Sequence, residues 1–465
     1  MKNFDYQSDL GNSSALGECL AAAGLGWDAC RKKAELFAAA AGALHVGQAS
    51  GLPGRQNARP TAFFVPGRIE VLGKHTDYAG GRSMIAAAER GFCLVAAPRD
   101  DRLITVVDAA TGDRICFTLD PPPEPPPGHW SNYPMTVARR IARNFPGANR
   151  GVDIALAGDL PPAAGMSSSS ALIVGIFLVL ADVNQLSGRP EYRDNIHTET
   201  DLASYLGTVE NGQGFGSLEG DRGVGTFGGS EDHTAILRAE AGHVSQYAYC
   251  PVRFERSVPI SSGYTFAIGS SGVVAEKTGA AQQQYNRASR LASAVAELWR
   301  EATGRDDLHL AAVLASSPHA ADKLREIIKT SSSGAFAPPA LSARFEHFLT
   351  ENEEIVPAAG DALADGDIAA FGRLVDASQH AAEELLGNQV PQTVYLATSA
   401  RQHGAVAASA FGAGFGGSVW AIVETGRADS FLAAWSEAYR GKFPENSPAG
   451  NFFLTGAGPA AFRIW

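Results

Sequence analysis

Apolar and polar positions along this chain follow two periods: short apolar runs of strand length, and longer segments with an apolar residue every three or four positions. Residues 15–43 are Ala-rich with apolar residues at helical spacing, which predicts one or two surface helices ahead of the main fold. GLPGRQNARP breaks that pattern and Thr61–Val65 follows as a short strand. Met84–Ala97 and Leu103–Val107 read as strands, with Thr111, Gly112 and Asp113 as a hairpin turn before a strand at Arg114–Leu119. PPPEPPPG at 121–128 is a stiff extended connector, and Val137, Ile141 and Phe145 then mark one face of a helix. A strand at Gly151–Leu156, a buried helix at Ala171–Ala181 and a helix over 197–211 complete the first half. Tyr264–Ile268 opens a second unit with helices over 276–301, 308–330, 340–364, 368–387 and 392–403, a glycine-rich turn into a strand at ASAFGAGFGGSVWAIV, and a last strand at Ala460–Trp465. The mixture predicts an α/β chain.

Two stretches interrupt these periods with chemistry. In GDLPPAAGMSSSSA (158–171) a Pro-Pro break, a glycine and four serines run straight into the apolar helix. Such a junction leaves free backbone N–H groups at the positive end of a helix dipole, a ready anion site, and the hydroxyls suit a phosphate-bound hard metal ion. On these residues alone the serines could equally be caps of a core helix. In PGRIEVLGKHTDYAGGRSM, Arg68, Glu70, Lys74, His75, Asp77, Tyr78 and Arg82 alternate with four glycines, the mix expected of a loop wrapping a polar ligand. A third glycine-dense segment, GQGFGSLEGDRGVGTFGGSEDHTAIL, places the carboxylates Glu231 and Asp232 at the end of a flexible approach.

Composition narrows the class. At 465 residues the chain is longer than one core usually supports, so two domains are expected. A net charge of −11 without a Lys/Arg run argues against nucleic-acid or anionic-membrane partners and leaves a small molecule as the ligand. The longest apolar run, 171–181, falls short of the roughly 20 residues that span a bilayer, and MKNFDYQSDLGNSS lacks a signal-peptide pattern. A cytoplasmic protein, monomeric or weakly self-associating, is expected. The five cysteines form no CxxC pair and read as free thiols.

PGRIEVLGKHTDYAGG, PPAAGMSSSSA and FGAGFGGS, in that order, resemble the three signature motifs of the GHMP kinase superfamily, and the first resembles the galactokinase signature. HWSNY (129–133) is similar to the segment lining the family's adenine pocket, VEN (209–211) to the segment with its metal-binding Glu, GGSEDHTAIL to its catalytic Asp segment, and 270–290 to the segment holding a sugar-contacting Tyr. The resemblance covers most of 60–465 and implies a two-domain mixed fold with the active site in the interdomain cleft. A helical extension at 1–58 would precede a ribosomal-protein-S5-like domain at 59–258 and a ferredoxin-like domain at 259–465. It implies an ATP-dependent sugar 1-kinase with Mg²⁺. Asp232 would be the catalytic carboxylate and Arg68 the cation beside the attacking oxygen. Lys74, His75, Asp77, Tyr285 and Glu70 would meet the sugar. Gly165, Met166, Ser167, Ser168, Ser169, Ser170, Trp130, Gly414 and Gly416 would meet ATP, and Ser170 and Glu210 the metal.

Alternatives stand beside these roles. Glu231 could replace Asp232 as the active carboxylate, Glu210 could be a solvated helix residue, Trp130 a core residue, and the glycines of FGAGFGGS a tight strand turn. The separation of 22 positions between Glu210 and Asp232 exceeds the family spacing, with the surplus expected within 214–227. In the first motif Glu70 stands for an Asn, and Lys74 for the acidic residue that faces the sugar's C6 hydroxyl. A cation there favours a carboxylate at C6, hence a uronic acid substrate; a Glu70–Lys74 pair would instead leave galactose acceptable. Lys277 stands where the family has a basic residue, and Ala410 near a family Arg. A non-catalytic sugar and nucleotide sensor, or another GHMP branch, completes the set.

Overall fold

Two sheets carry the chain's chemistry. The structure is a computed structural model and describes residues 13–49, 60–119, 129–161, 164–274, 280–331, 335–412, 414–446 and 448–464. The connector at 121–128 and Lys277 lie outside these described residues.

The first sheet is built on β1 (Thr61–Leu72) and the long β2 (Arg82–Pro98), which pair antiparallel. β2 also pairs with β5 (Val152–Gly158), and β5 runs parallel to β3 (Leu103–Asp108), whose hairpin partner is β4 (Arg114–Thr118). Gly112, at φ 75°, makes the expected hairpin turn. The other end of β2 pairs with β6 (His243–Ala248), which pairs with β7 (Arg253–Pro259). These two strands were not expected, because HVSQYA and RFERSVP lack a clean alternation. The second sheet has the antiparallel order β11 (Phe452–Thr455), β8 (Tyr264–Ser270), β10 (Ser418–Glu424), β9 (Ala407–Ala410). The expected last strand shrinks to Phe462–Arg463, which returns to pair with β1.

Helices cover both faces of the first sheet. On one side α3 (Asn132–Asn144) and α4 (Ser168–Val183) bury Val137, Ile141, Ile173 and Phe177 against Val65, Leu94 and Ile154. On the other lie α1 (Ser13–Ala22) and α2 (Trp27–Ala49), which bury Leu16, Leu20, Phe37 and Ala40 against Phe64, Cys93, Val95 and Ala155. The N-terminal segment is therefore no loose surface addition. Each buried Leu or Phe contributes about 1.5–3 kcal/mol, enough in sum to hold both helices on the sheet. The sequence also hid a helix over Ala428–Lys442, which packs Phe431, Trp435 and Tyr439 behind the second sheet.

Candidate active site

The first motif is a strand before it is a loop. PGRIEV continues β1, so Arg68 and Glu70, two residues apart, share one face of the sheet and point together. Register shifts at Pro66/Arg68 and Glu70/Leu72 bend the strand there. Gly67 lets the serine loop lie against the strand: a Cβ would come within 2.5 Å of Leu160 Cδ2 and 2.9 Å of the Met166 carbonyl. That carbonyl accepts from the Arg68 amide at 3.1 Å. Only the second half of the motif forms a turn, with His75 held at φ 58° and its Nδ1 2.8 Å from the Tyr78 hydroxyl.

Glu231 and Asp232 open helix α6 (Glu231–Arg238) instead of ending a flexible approach. Arg68 is buried at their side. Its Nε and Nη2 each lie 2.7 Å from Asp232 Oδ1, Nη2 lies 3.4 Å from Glu70 Oε2, and Nε lies 3.7 Å from Glu231 Oε1. Burial works against the guanidinium charge, but Asp232, Glu70 and Glu231 outweigh it and raise its pKa. Burial pushes the Glu231 carboxyl well above the ordinary range, reinforced by Glu70. The same cause lifts Asp77 to about 6, although its carboxylate accepts from the Glu231 amide at 3.2 Å.

The serine stretch delivers a helix terminus to this cluster. Ser167, at φ 58°, precedes the first helical residue, and Ser168, Ser169 and Ser170 form the first turn of α4 rather than a loop before it. The buried Ser167 hydroxyl has no hydrogen-bond partner, and no side chain caps the helix, so the capping explanation of the serines fails. Ser170 Oγ lies 2.7 Å from Glu210 Oε2 and 3.3 Å from Asp232 Oδ2. Glu210 comes from α5 (Glu199–Asn211) and is buried, with His233 Nε2 3.2 Å away, so it is not a solvated helix residue.

A cavity opens over Arg68, Glu70, His75, Asp77, Glu210, Glu231 and Asp232, closed by Tyr285 and Gly412 from the second half of the chain. The Tyr285 ring lies 5.2 Å from that of His75. At Gly412 a Cβ would come within 2.2 Å of Glu70 Oε2, so this position admits only glycine while Glu70 keeps its place. Phe411 rests beside Gly165, where a Cβ would lie 3.3 Å from Phe411 Cβ, bringing the third motif against the second.

Three regions of the chain match family signatures: a galactokinase galactose-binding signature at 54–98, the GHMP kinase N-terminal domain at 132–217 and the GHMP kinase C-terminal domain at 360–441. This chain is a galactokinase-like member of the GHMP kinases. It is 28% identical over 378 residues to the galactokinase of Chloroflexus aggregans, covering 80% of this chain and 86% of that protein. With the galactokinase of Exiguobacterium sibiricum it shares 29% over 393 residues, 81% and 88% of the two chains. Its fold is similar to that of Lactococcus lactis galactokinase solved with galactose, with a TM-score of 0.70, 23% identity and coverage of 87% and 95%.

Several of the residues singled out in the sequence of this GHMP kinase lie outside this cavity. Lys74 does not line the cavity; it is fully buried behind it, with Nζ 2.8 Å from Ser409 Oγ and 3.2 Å from Ser378 Oγ. Ser378 in turn bonds Glu351 Oε1 at 2.9 Å, and the Gly73 amide bonds the same oxygen at 2.7 Å. The buried ammonium has thus found hydroxyls outside the cavity, and Glu70 pairs with Arg68, not with Lys74. Trp130 also stays out of the cavity, with its indole donating to Asp113 Oδ2 at 2.6 Å. Gly414 and Gly416 are needed locally, against Asn388 and Val273. Asn211, Thr226 and His233 line the cavity without having been singled out. The first and third flank Glu210 and Asp232 in sequence, the only signal that pointed to them.

Proposed function

We propose that this GHMP kinase transfers the γ-phosphoryl group of ATP to the anomeric hydroxyl of a galactose-like neutral sugar, giving the sugar 1-phosphate and ADP. The observation that carries the reading is the Arg68–Asp232 pair, buried where the sugar-binding signature meets the serine helix. The Asp232 carboxylate accepts the hydroxyl proton as the oxygen attacks phosphorus and the bond to the ADP oxygen breaks. Arg68 stays cationic throughout and offsets charge on the attacking oxygen. Glu231 is unsuited to the base role, since burial favours its protonated form.

The start of α4 offers backbone donors and the unpartnered Ser167 hydroxyl to the nucleotide phosphates. Ser170 Oγ lies within 3.3 Å of a carboxylate oxygen of Glu210 and of Asp232, a set that fits a hard cation carrying most of its ligands as water and phosphate. When bound, Mg²⁺ supplies charge neutralisation on the phosphate oxygens. Asp77, His75 and Tyr285 form the sugar side of the cavity.

Among the described residues lining the cavity carboxylates outnumber the one arginine, and Lys74 is not among them, so the site favours a neutral sugar over a uronate. ADP release by the purified protein, compared for galactose, arabinose, galacturonate and glucuronate with ATP and Mg²⁺, tests this. Galactose should exceed either uronate by at least about tenfold in kcat/KM. Equal or better use of a uronate contradicts it.

A further inference from the structure

We propose that Lys33 is a positioning residue for the nucleotide: helix α2 holds the root of the serine loop in place through a buried ion pair with Asp159. The inference rests on the kinase reading, in which that loop meets ATP. Lys33 is 1% exposed, and its Nζ lies 2.5 Å from Asp159 Oδ2. The other carboxylate oxygen accepts from the Gly91 amide at 2.9 Å, and Arg90 Nη1 donates to the Asp159 carbonyl at 3.3 Å. Every acceptor of Asp159 is therefore engaged, from α2 on one side and β2 on the other.

Asp159 follows the last residue of β5 and precedes Leu160, which packs over Gly67; farther on, the Met166 carbonyl accepts from the Arg68 amide. The loop is hung at its start on Lys33 and at its end on the strand that carries Arg68. Around Lys33 the packing is apolar, with Cys30, Phe37, Phe64 and Cys93 buried in one cluster and Nζ 5.9 Å from the Phe64 ring. A buried ion pair in such a setting adds little stability over an apolar pair of similar volume. What it supplies is a fixed, directional tie at the first residue of the loop. The N-terminal helices thereby reach the phosphate end of the site without touching it.

The test uses the full chain. Lys33→Met keeps the aliphatic stem and removes the tie; the KM for ATP should rise about fivefold or more, with kcat and the sugar KM within about twofold of wild type. Affinity for a non-hydrolysable ATP analogue, read by calorimetry, should fall in parallel. Asp159→Asn, which keeps an acceptor for Gly91, should reproduce the shift, and Lys33→Arg should restore most of it. Leu16→Ala loosens the same helices away from Lys33 and should lower the melting temperature while leaving the KM for ATP unchanged. Wild-type ATP KM and analogue affinity in folded Lys33→Met or Asp159→Asn overturn the proposal, as does an equal shift in Leu16→Ala. If neither charge variant folds while Leu16→Ala does, the pair is a stability element and the proposal is also overturned. Absence of sugar-dependent turnover in the wild type would count against the kinase reading, while the analogue affinities still test the tie.

Discussion

Neighbouring carboxyl groups in this site are set to different tasks by their surroundings. Asp232 meets the guanidinium at 2.7 Å, whereas Glu231 is enclosed and its Oε1 has no hydrogen-bond partner. Asp232→Asn should lower kcat by about 10²- to 10⁴-fold, and Glu231→Gln, close in shape and charge to the protonated acid, should keep most activity; single-turnover ADP formation distinguishes them. Asp77 carries a pH signature. Its carboxyl is raised from 3.8 to about 6, so the folded state holds the proton more tightly than the unfolded chain. The stability this gives is fully present below about pH 4 and is lost as pH rises through about 6. The ionised form is the one that accepts sugar hydroxyls, so the sugar KM should rise as pH falls below about 6, and Asp77→Asn should abolish that dependence. Lys74 belongs to the packing instead. Lys74→Glu would set a second acid beside Glu351 and remove the ammonium from which the Ser378 and Ser409 hydroxyls accept, costing about 3–5 kcal/mol in denaturant unfolding and leaving sugar preference unchanged. At this scale the sequence singled out Arg68, Asp77, Glu210 and Asp232, and the structure brings all four to one cavity. Lys74 lies outside that cavity, and nothing in LGKHTDY reveals which way its side chain turns.

At the scale of elements, the fold was legible where apolar periodicity was uninterrupted and illegible where chemistry was embedded in regular structure. Arg68 and Glu70 made β1 look like a loop, yet the strand tolerates them because each finds a partner in the ion-pair cluster. The serines looked like a loop before a helix and turned out to be its first turn, since only Ser167 needs the left-handed conformation. β6 and β7 escaped notice because both mix polar and apolar residues without alternation, β6 burying its polar Ser245 and Gln246 and β7 lying half-exposed at the sheet's end. The third motif acts as a spacer as much as a phosphate contact. Gly412→Ala would push the Glu70 carboxylate aside and with it Arg68; a displacement of about 1 Å at reacting groups can cost about 10²-fold, so kcat/KM should fall on that order with the sheet intact by circular dichroism.

Across the whole molecule, the site is assembled from distant parts: β1, α4, α5 and α6 from the first half, Tyr285 and Gly412 from the second. The two-part architecture could be read from length and motif order. The way the ends of the chain close it could not, because residues 457–463 return to β1 and β2 and the N-terminal helices cover the back of the same sheet. Among the described residues no helix is long and apolar enough to cross a membrane. Removing residues 1–49 should uncover Phe64, Val95 and Ala155 and yield protein that aggregates on expression, seen as loss of the monodisperse peak in size-exclusion chromatography. The central claim is that these converging groups form one phosphoryl-transfer site for a neutral sugar. Galactose-dependent ADP release, measured side by side for the wild-type chain and Asp232→Asn, tests it most directly: turnover in the first and its near-complete loss in the second is the predicted result, and sugar-dependent turnover that survives in Asp232→Asn contradicts it.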